Sequence, residues 1–193
     1  MDIFEKALIF ATKAHSGVTR KFSNKPYILH PVEVATIVSS MTTDRETLAA
    51  AVLHDVVEDT EIPIETIRDE FGDRVAELVA METEDKRKDL PAEETWMLRK
   101  EESLRDLKET SDPAVKMIWL GDKLSNVRSF CEMKKQYGTA MWESFHQKDP
   151  EMQRWYYTRV AELTSDLCKY PAWTEYHDKL NYIFDGENHN DQT

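Results

Sequence analysis

The stretch AAVLHDVVEDT, residues 50–60, decides the reading of this chain. An apolar run carries His54 and Asp55 side by side, and Glu58 and Asp59 follow one turn later. Burying unpaired charge is costly, so ionisable groups this dense on an apolar helix need a purpose. Residues three or four apart share a helix face. His54 precedes Glu58 by four and Asp55 precedes Asp59 by four. Neighbours differ by about 100° around the axis, so one helix presents all four on a single polar sector. Ala49, Val52, Leu53, Val56 and Val57 form the opposite, apolar sector.

The flanking sequence repeats the helical period. Ile3, Phe4, Ala7, Leu8, Ala11 and His15 recur at helical spacing, and Gly17 ends that helix. VTRKFSNKPYILHP (18–31) reads as a loop, and Pro31 suits the first turn of the next helix. Asp44 is the expected N-cap of the helix holding the opening stretch. Ile62-Pro63 starts a short helix that Phe71-Gly72 stops, and DRVAELVAMET follows it. A polar helix is predicted over 92–109, and Asp112-Pro113 caps another that runs to Phe130. Two more are predicted at 150–169 and 172–184, with a disordered tail at 185–193. No period-two alternation is long enough for a sheet. The expectation is one all-α domain, a helical bundle over 1–184.

Of 193 residues, 40% are hydrophobic and 32% charged, which implies a globular core and excludes a disordered chain. A formal net charge of −12 argues against nucleic acid as a partner, yet local Arg, Lys or a metal can still hold a small anion. Cys131 and Cys168 show no metal or redox spacing and read as reduced thiols. The N-terminus lacks the regions of a signal peptide, and no apolar run reaches membrane-spanning length, so a cytoplasmic protein with no membrane partner is expected.

A divalent metal explains the inward polar sector economically, because it compensates buried carboxylates and takes neutral imidazole as a ligand. A second imidazole stands at His30 in YILHP, and Asp122 interrupts the apolar WLGDKLSNV. His30, His54, Asp55 and Asp122 make a mixed nitrogen and oxygen set, suited to Mn²⁺, Fe²⁺ or Zn²⁺ rather than Ca²⁺. Such an ion activates water near neutral pH.

H…HD…D on helices resembles the HD-domain metal-dependent phosphohydrolases. RKFSNKPYILHPVEVA, AAVLHDVVEDT, FGDRVAELV and LGDKLSNVRS are similar to the hydrolase domain of the RelA/SpoT family, and especially to its small stand-alone alarmone hydrolases of the Mesh1-like type. The resemblance covers about residues 3–130. It implies that His30, His54, Asp55 and Asp122 hold one divalent metal, usually Mn²⁺. It implies that Glu58 and Asp59 are the acid/base pair, and that Arg20, Lys21 and Asn126 contact a nucleotide. The family reaction removes pyrophosphate from the 3′ position of ppGpp or pppGpp, leaving GDP or GTP. The length suggests hydrolysis without alarmone synthesis. The chain departs from the family at Gly121, where Ala is usual, and a looser helix is expected there.

Lys123 or Arg128 would add positive charge. Tyr156 or Tyr157 could close over a base, although the aromatic residues after 140 read mainly as core. His15 reads as a packing residue, and His146, His177 and His189 as surface. The charged run ETEDKRKD (82–89) reads as solvated surface. Three rivals stand beside the alarmone reading: the same fold acting on a nucleoside monophosphate or NADPH, a nucleotide-binding module without catalysis, and a purely structural helical domain that binds no metal.

Overall fold

Carboxylates start several of the helices. Asp2 accepts from the Phe4 amide at 2.9 Å and Glu5 reaches back to the Asp2 amide at 3.1 Å, a reciprocal cap that opens α1 (Ile3–Ala14). Asp44 caps α3 (Arg45–Leu53) through Thr47 at 2.9 Å, as the sequence predicts. Pro31 stands in the first turn of α2 (Leu29–Ser39), the helix between them. The structure, a computed structural model, describes residues 1–20, 23–87 and 89–185. Among these it is all-α; a lone antiparallel bridge, Thr19 to Pro26, is the one β contact.

The predicted single helix through the opening stretch is broken. α3 stops at Leu53, and a separate turn, α4 (Val56–Asp59), follows His54 and Asp55. The His54 Nδ1 sits 2.9 Å from the Ala51 carbonyl, the acceptor an unbroken helix would offer to the Asp55 amide. The side chain competes with the ladder at the residue that carries the chemistry.

α5 (Ile64–Phe71) and α6 (Asp73–Ala80) meet at Gly72, whose φ of 89° only glycine adopts without strain. α7 (Ala92–Glu109) matches the predicted polar helix. α8 (Pro113–Tyr137) is capped by Asp112 and runs past its predicted end at Phe130. α9 (Pro150–Leu163) is shorter than predicted and gives way to a 3-10 turn at Ser165–Leu167. α10 (Pro171–Asp185) closes the described chain. Asp185, expected to begin the disordered tail, is the last residue of α10, and the rest of that tail, 186–193, lies outside the described residues.

α8 is the spine: it packs on α2, α3, α9 and α10, and α3 packs on α1, α2 and α6. Leu53, Ile118, Leu120 and Leu124 are fully enclosed, each contributing about 1.5–3 kcal/mol by burial. Gly121 turns out not to loosen α8. A Cβ there would stand 2.9 Å from Val38 Cγ2 and 3.3 Å from the Val34 carbonyl, so the glycine lets α2 approach α8 closely. That approach brings His30 to Asp122. No helix among the described residues is long and apolar enough to cross a membrane.

Candidate metal centre

His30, His54 and Asp122 come from α2, the end of α3 and the middle of α8. Each is buried, and each offers one ligand atom within 4.8 Å of the others. Backbone and neighbours orient both imidazoles. His54 Nδ1 faces the Ala51 carbonyl at 2.9 Å and His30 Nδ1 faces Ser125 Oγ at 2.8 Å. Both rings therefore turn Nε2 inward. His30 Nε2 lies 3.1 Å from Asp122 Oδ1 and 3.4 Å from Asp55 Oδ2. His54 Nε2 lies 3.0 Å from Asp55 Oδ2, but out of line for a hydrogen bond, and it is buried without one.

That orphaned nitrogen tests what the site is for. Native proteins seldom leave a buried polar atom unpaired, and such an atom marks an absent water or ion. Two imidazole nitrogens converging with two carboxylates suit a divalent cation of the Mn²⁺, Fe²⁺ or Zn²⁺ type. Electrostatics agree. Burial lowers the basicity of His54, but Asp55 and then Asp122 overcome it and hold its pKa up to about 10. Burial opposes ionisation of Asp122 as well, yet Lys123 and the two histidines keep its carboxyl well below the usual range. The recess is built for positive charge, whether proton or metal.

Glu58 and Asp59 stand at the mouth of this recess. Glu58 accepts from the Glu84 amide at 3.1 Å and lies 3.2 Å from Lys86 Nζ, which also grips Asp59. Burial first, and then Asp55, raise the Glu58 pKa, while Lys86 opposes them. Asp59 Oδ2 receives the Tyr27 hydroxyl at 2.8 Å, and the same hydroxyl lies 2.6 Å from Asp55 Oδ2. Tyr27 thus ties the metal set to the acid pair.

The surface reading of 82–89 is corrected at Glu82, Glu84 and Lys86, which line the cleft beside the recess, and it holds at Asp85 and Asp89, which are exposed. Glu84 is gripped by Arg99 and Lys100, and Glu82 keeps Oε1 buried and unpartnered. An acidic segment on a solvated loop would not need these cations.

Arg20 and Asn126 meet. Arg20 Nη2 donates to Asn126 Oδ1 at 3.0 Å and to Ser129 Oγ at 3.2 Å, and Asn126 Nδ2 donates to Asp122 Oδ1 at 2.8 Å. Both line the cleft of about 1360 Å³ that opens from the metal recess. Lys21 lies outside the described residues. Lys123 grips Asp122 and lies 4.7 Å from the Trp119 ring. Arg128 supplies no charge to the cleft: it is bound to Glu33 and Glu175. His15 is buried against the Tyr27 ring, centroids 4.8 Å apart, as a packing residue would be, although its Nε2 is also buried without a hydrogen-bond partner. His146 and His177 are exposed. Tyr156 and Tyr157 are buried in the cleft wall, and Trp142 and Tyr176 in the core.

Residues 7–145 match the family model described as HD domain. The chain belongs to the HD-domain family. Over 132 residues this HD domain is 35% identical to the guanosine-3′,5′-bis(diphosphate) 3′-pyrophosphohydrolase of Aquifex aeolicus, a match that covers 68% of the chain and 18% of that protein. A protein of the same name from Vibrio cholerae is 47% identical over 79 residues, or 41% of the chain and 11% of the relative. The HD domain therefore spans less than a fifth of these curated relatives. Two solved structures match it, each with a TM-score of 0.70. One is described as a metazoan ortholog of SpoT that hydrolyses ppGpp and plays a role in starvation responses. It is 28% identical, and the match covers 97% of both chains. The other, from Listeria monocytogenes EGD-e, is 31% identical, with 81% of this chain and 99% of that one covered.

Sequence reasoning assigned no role to Tyr27, Ser125, Glu82 or Lys86 in this HD domain. Tyr27 stands in PYILHP, three residues before His30, so that motif carried a signal for it. The others act across long sequence separations, and no local spacing betrays them.

Proposed function

We propose that this HD domain is a divalent-metal-dependent phosphohydrolase that removes pyrophosphate from the 3′ position of a guanosine alarmone, converting ppGpp to GDP. The observation that carries the reading is the convergence of His30, His54 and Asp122, with Asp55 at 3.0 Å from the unpartnered His54 Nε2. Mn²⁺ is the proposed ion, held by His30, His54, Asp55 and Asp122. When bound, it supplies Lewis-acid neutralisation of phosphate charge and lowers the proton affinity of water.

The chain's own residues divide the remaining work. Glu58, with its raised pKa at the mouth of the recess, takes a proton from water as the water oxygen joins the phosphorus next to the 3′ oxygen. The bond from phosphorus to that oxygen breaks, and the proton held by Glu58 passes to the departing 3′ oxygen, which becomes the ribose hydroxyl. Asp59, anchored by Tyr27, holds the water-side hydrogen-bond geometry. Arg20 and Lys21 bind the nucleotide, and Arg20 can stack its planar guanidinium on a base as Lys cannot. Asn126 steadies Asp122 and Arg20 from between them. The near full-length likeness to a structure described as hydrolysing ppGpp supports this substrate over the rivals.

The test is hydrolysis of ppGpp by the purified protein with Mn²⁺, with and without chelator, reading GDP and pyrophosphate. Chelator-sensitive release of pyrophosphate is expected. A Mn²⁺-loaded protein that leaves ppGpp intact overturns the substrate, and a panel of nucleoside monophosphates and NADPH then distinguishes the rivals.

A further inference from the structure

We infer that Ser125, held by Glu33 and Arg128, is a positioning residue that fixes the ring tautomer of His30 and keeps its Nε2 free for the metal. The inference rests on the metal reading above. Ser125 Oγ lies 2.8 Å from His30 Nδ1 and 2.6 Å from Glu33 Oε2. A hydroxyl has one proton, and an ionised carboxylate can only accept. The Ser125 proton therefore points at Glu33, which leaves Oγ with lone pairs toward His30. Nδ1 must donate to it, and the lone pair of a neutral ring then falls on Nε2. That nitrogen faces Asp122 at 3.1 Å and Asp55 at 3.4 Å.

Glu33 cannot readily turn away. Arg128 Nη1 donates to Oε1 at 2.9 Å, which leaves Oε2 for Ser125. Arg128 is itself fixed by a two-pronged contact with Glu175 on α10, at 2.8 and 2.7 Å. Forked guanidinium pairs of this kind set orientation as well as charge. The chain of contacts runs from α10 across α8 to α2 and ends at a metal ligand. His54 reaches the same tautomer through a backbone carbonyl, which no substitution removes. His30 depends on side chains, and these are open to test. Partners that orient a ligating histidine in this way commonly set metal affinity.

The experiment is a titration of Mn²⁺ into the full metal-free chain, with free Mn²⁺ read by electron paramagnetic resonance. It compares wild type with Ser125→Ala, Glu33→Ala and Glu33→Gln. Ser125→Ala strands a buried Nδ1–H, and moving that proton to Nε2 relieves the loss at the expense of the ligand atom. It is expected to weaken Mn²⁺ binding by about 10- to 100-fold. Glu33→Ala lets the hydroxyl turn its proton toward Nδ1 and weakens binding in the same direction. Glu33→Gln has a single acceptor oxygen, which Arg128 claims, so its amide nitrogen faces Ser125 Oγ and donates to it; the hydroxyl proton is again free to turn toward Nδ1, and binding weakens as in Glu33→Ala. Melting of the metal-free variants stays near that of wild type, while the rise on adding Mn²⁺ shrinks; a merely structural serine would show the reverse. If Ser125→Ala fails to fold, Glu33→Ala carries the test from the partly exposed side of the contact. A wild type that binds no Mn²⁺ overturns the metal reading and this inference together. A wild type that binds, with both alanine variants unchanged, overturns this inference alone.

Discussion

The floor of the cleft and its rim are built differently. On the floor, His30, His54 and Asp122 are buried on packed helices, and neutral contacts with Ala51 and Ser125 orient the two rings. On the rim, Glu58, Asp59, Glu84 and Arg20 are held by charge pairing and polar side chains, from Lys86 in a loop and from Arg99 and Asn126 on α7 and α8. Buried groups of fixed geometry lose little to solvent screening. Partly exposed pairs are worth about 0–1 kcal/mol each and weaken with salt. A metal site needs ligands fixed before the ion arrives. A site that takes in and releases a charged substrate gains from side chains that can be displaced. The difference suggests that substitutions on the floor act through metal occupancy, and those on the rim through rate and pH dependence with the metal in place.

Asp55→Ala should give the largest effect and tests that division most directly. It removes a ligand, the carboxylate beside His54, and an acceptor of the Tyr27 hydroxyl together. Losing a ligand should exceed the about 10- to 100-fold cost of losing a supporting partner, so Mn²⁺ binding and hydrolysis should vanish together in a titration. Retained Mn²⁺ binding would mean that the three-residue cluster suffices without it. Glu58→Gln comes next. A general acid or base contributes about 10²- to 10⁴-fold, so kcat should fall by that order while Mn²⁺ binding is unchanged. Full activity in this variant would move the proton-handling role to Asp59.

Gly121→Ala probes the floor by shape alone. The added methyl meets Val38 Cγ2 at 2.9 Å and the Val34 carbonyl at 3.3 Å. Overpacking costs about 1–3 kcal/mol, against a helix-propensity gain of up to about 1 kcal/mol. The melting temperature should fall, and because α2 carries His30, Mn²⁺ affinity should fall with it. Unchanged melting would show that α2 yields, contrary to a rigid floor.

The floor was far more legible in the sequence than the rim. His54, Asp55 and Asp122 stand out as charge inside apolar helical runs, and His30 stands beside a proline at a helix start. The period that reveals the helices also reveals the exceptions on them. The break after Leu53 was not legible, because the local pattern is helical throughout and only the His54 contact with Ala51 interrupts it. The rim failed for a different reason. ETEDKRKD has the composition of solvated surface, and nothing local distinguishes a charged loop in water from one folded over a charged cleft. Only the partners do so: Arg99 and Lys100 for Glu84, and Glu58 and Asp59 for Lys86, all more than a dozen residues away. Gly121 misled for a related reason. Its lost helix propensity is visible in sequence, while the closeness of α2 is not.

The smallest effect bears on the rim. Lys86→Met removes the cation that, among the described residues, is in direct contact with the Glu58 carboxylate. Burial raises the Glu58 pKa, Asp55 raises it further, and Lys86 opposes both. Without Lys86 the pKa rises again. Activity that needs ionised Glu58 increases as pH climbs through that pKa, so the acid limb of the pH–rate profile should move to higher pH. A partly exposed pair is worth about 0.2–1 kcal/mol, and one pKa unit corresponds to about 1.4 kcal/mol, so the shift should be under about one unit. Salt sharpens the test. Screening weakens the hold of Lys86 in the wild type, which should carry its limb toward that of the variant, while the variant's own limb moves less. Two limbs that coincide at low salt would show that Lys86 leaves Glu58 in solution, and the acid pair would then belong with the floor.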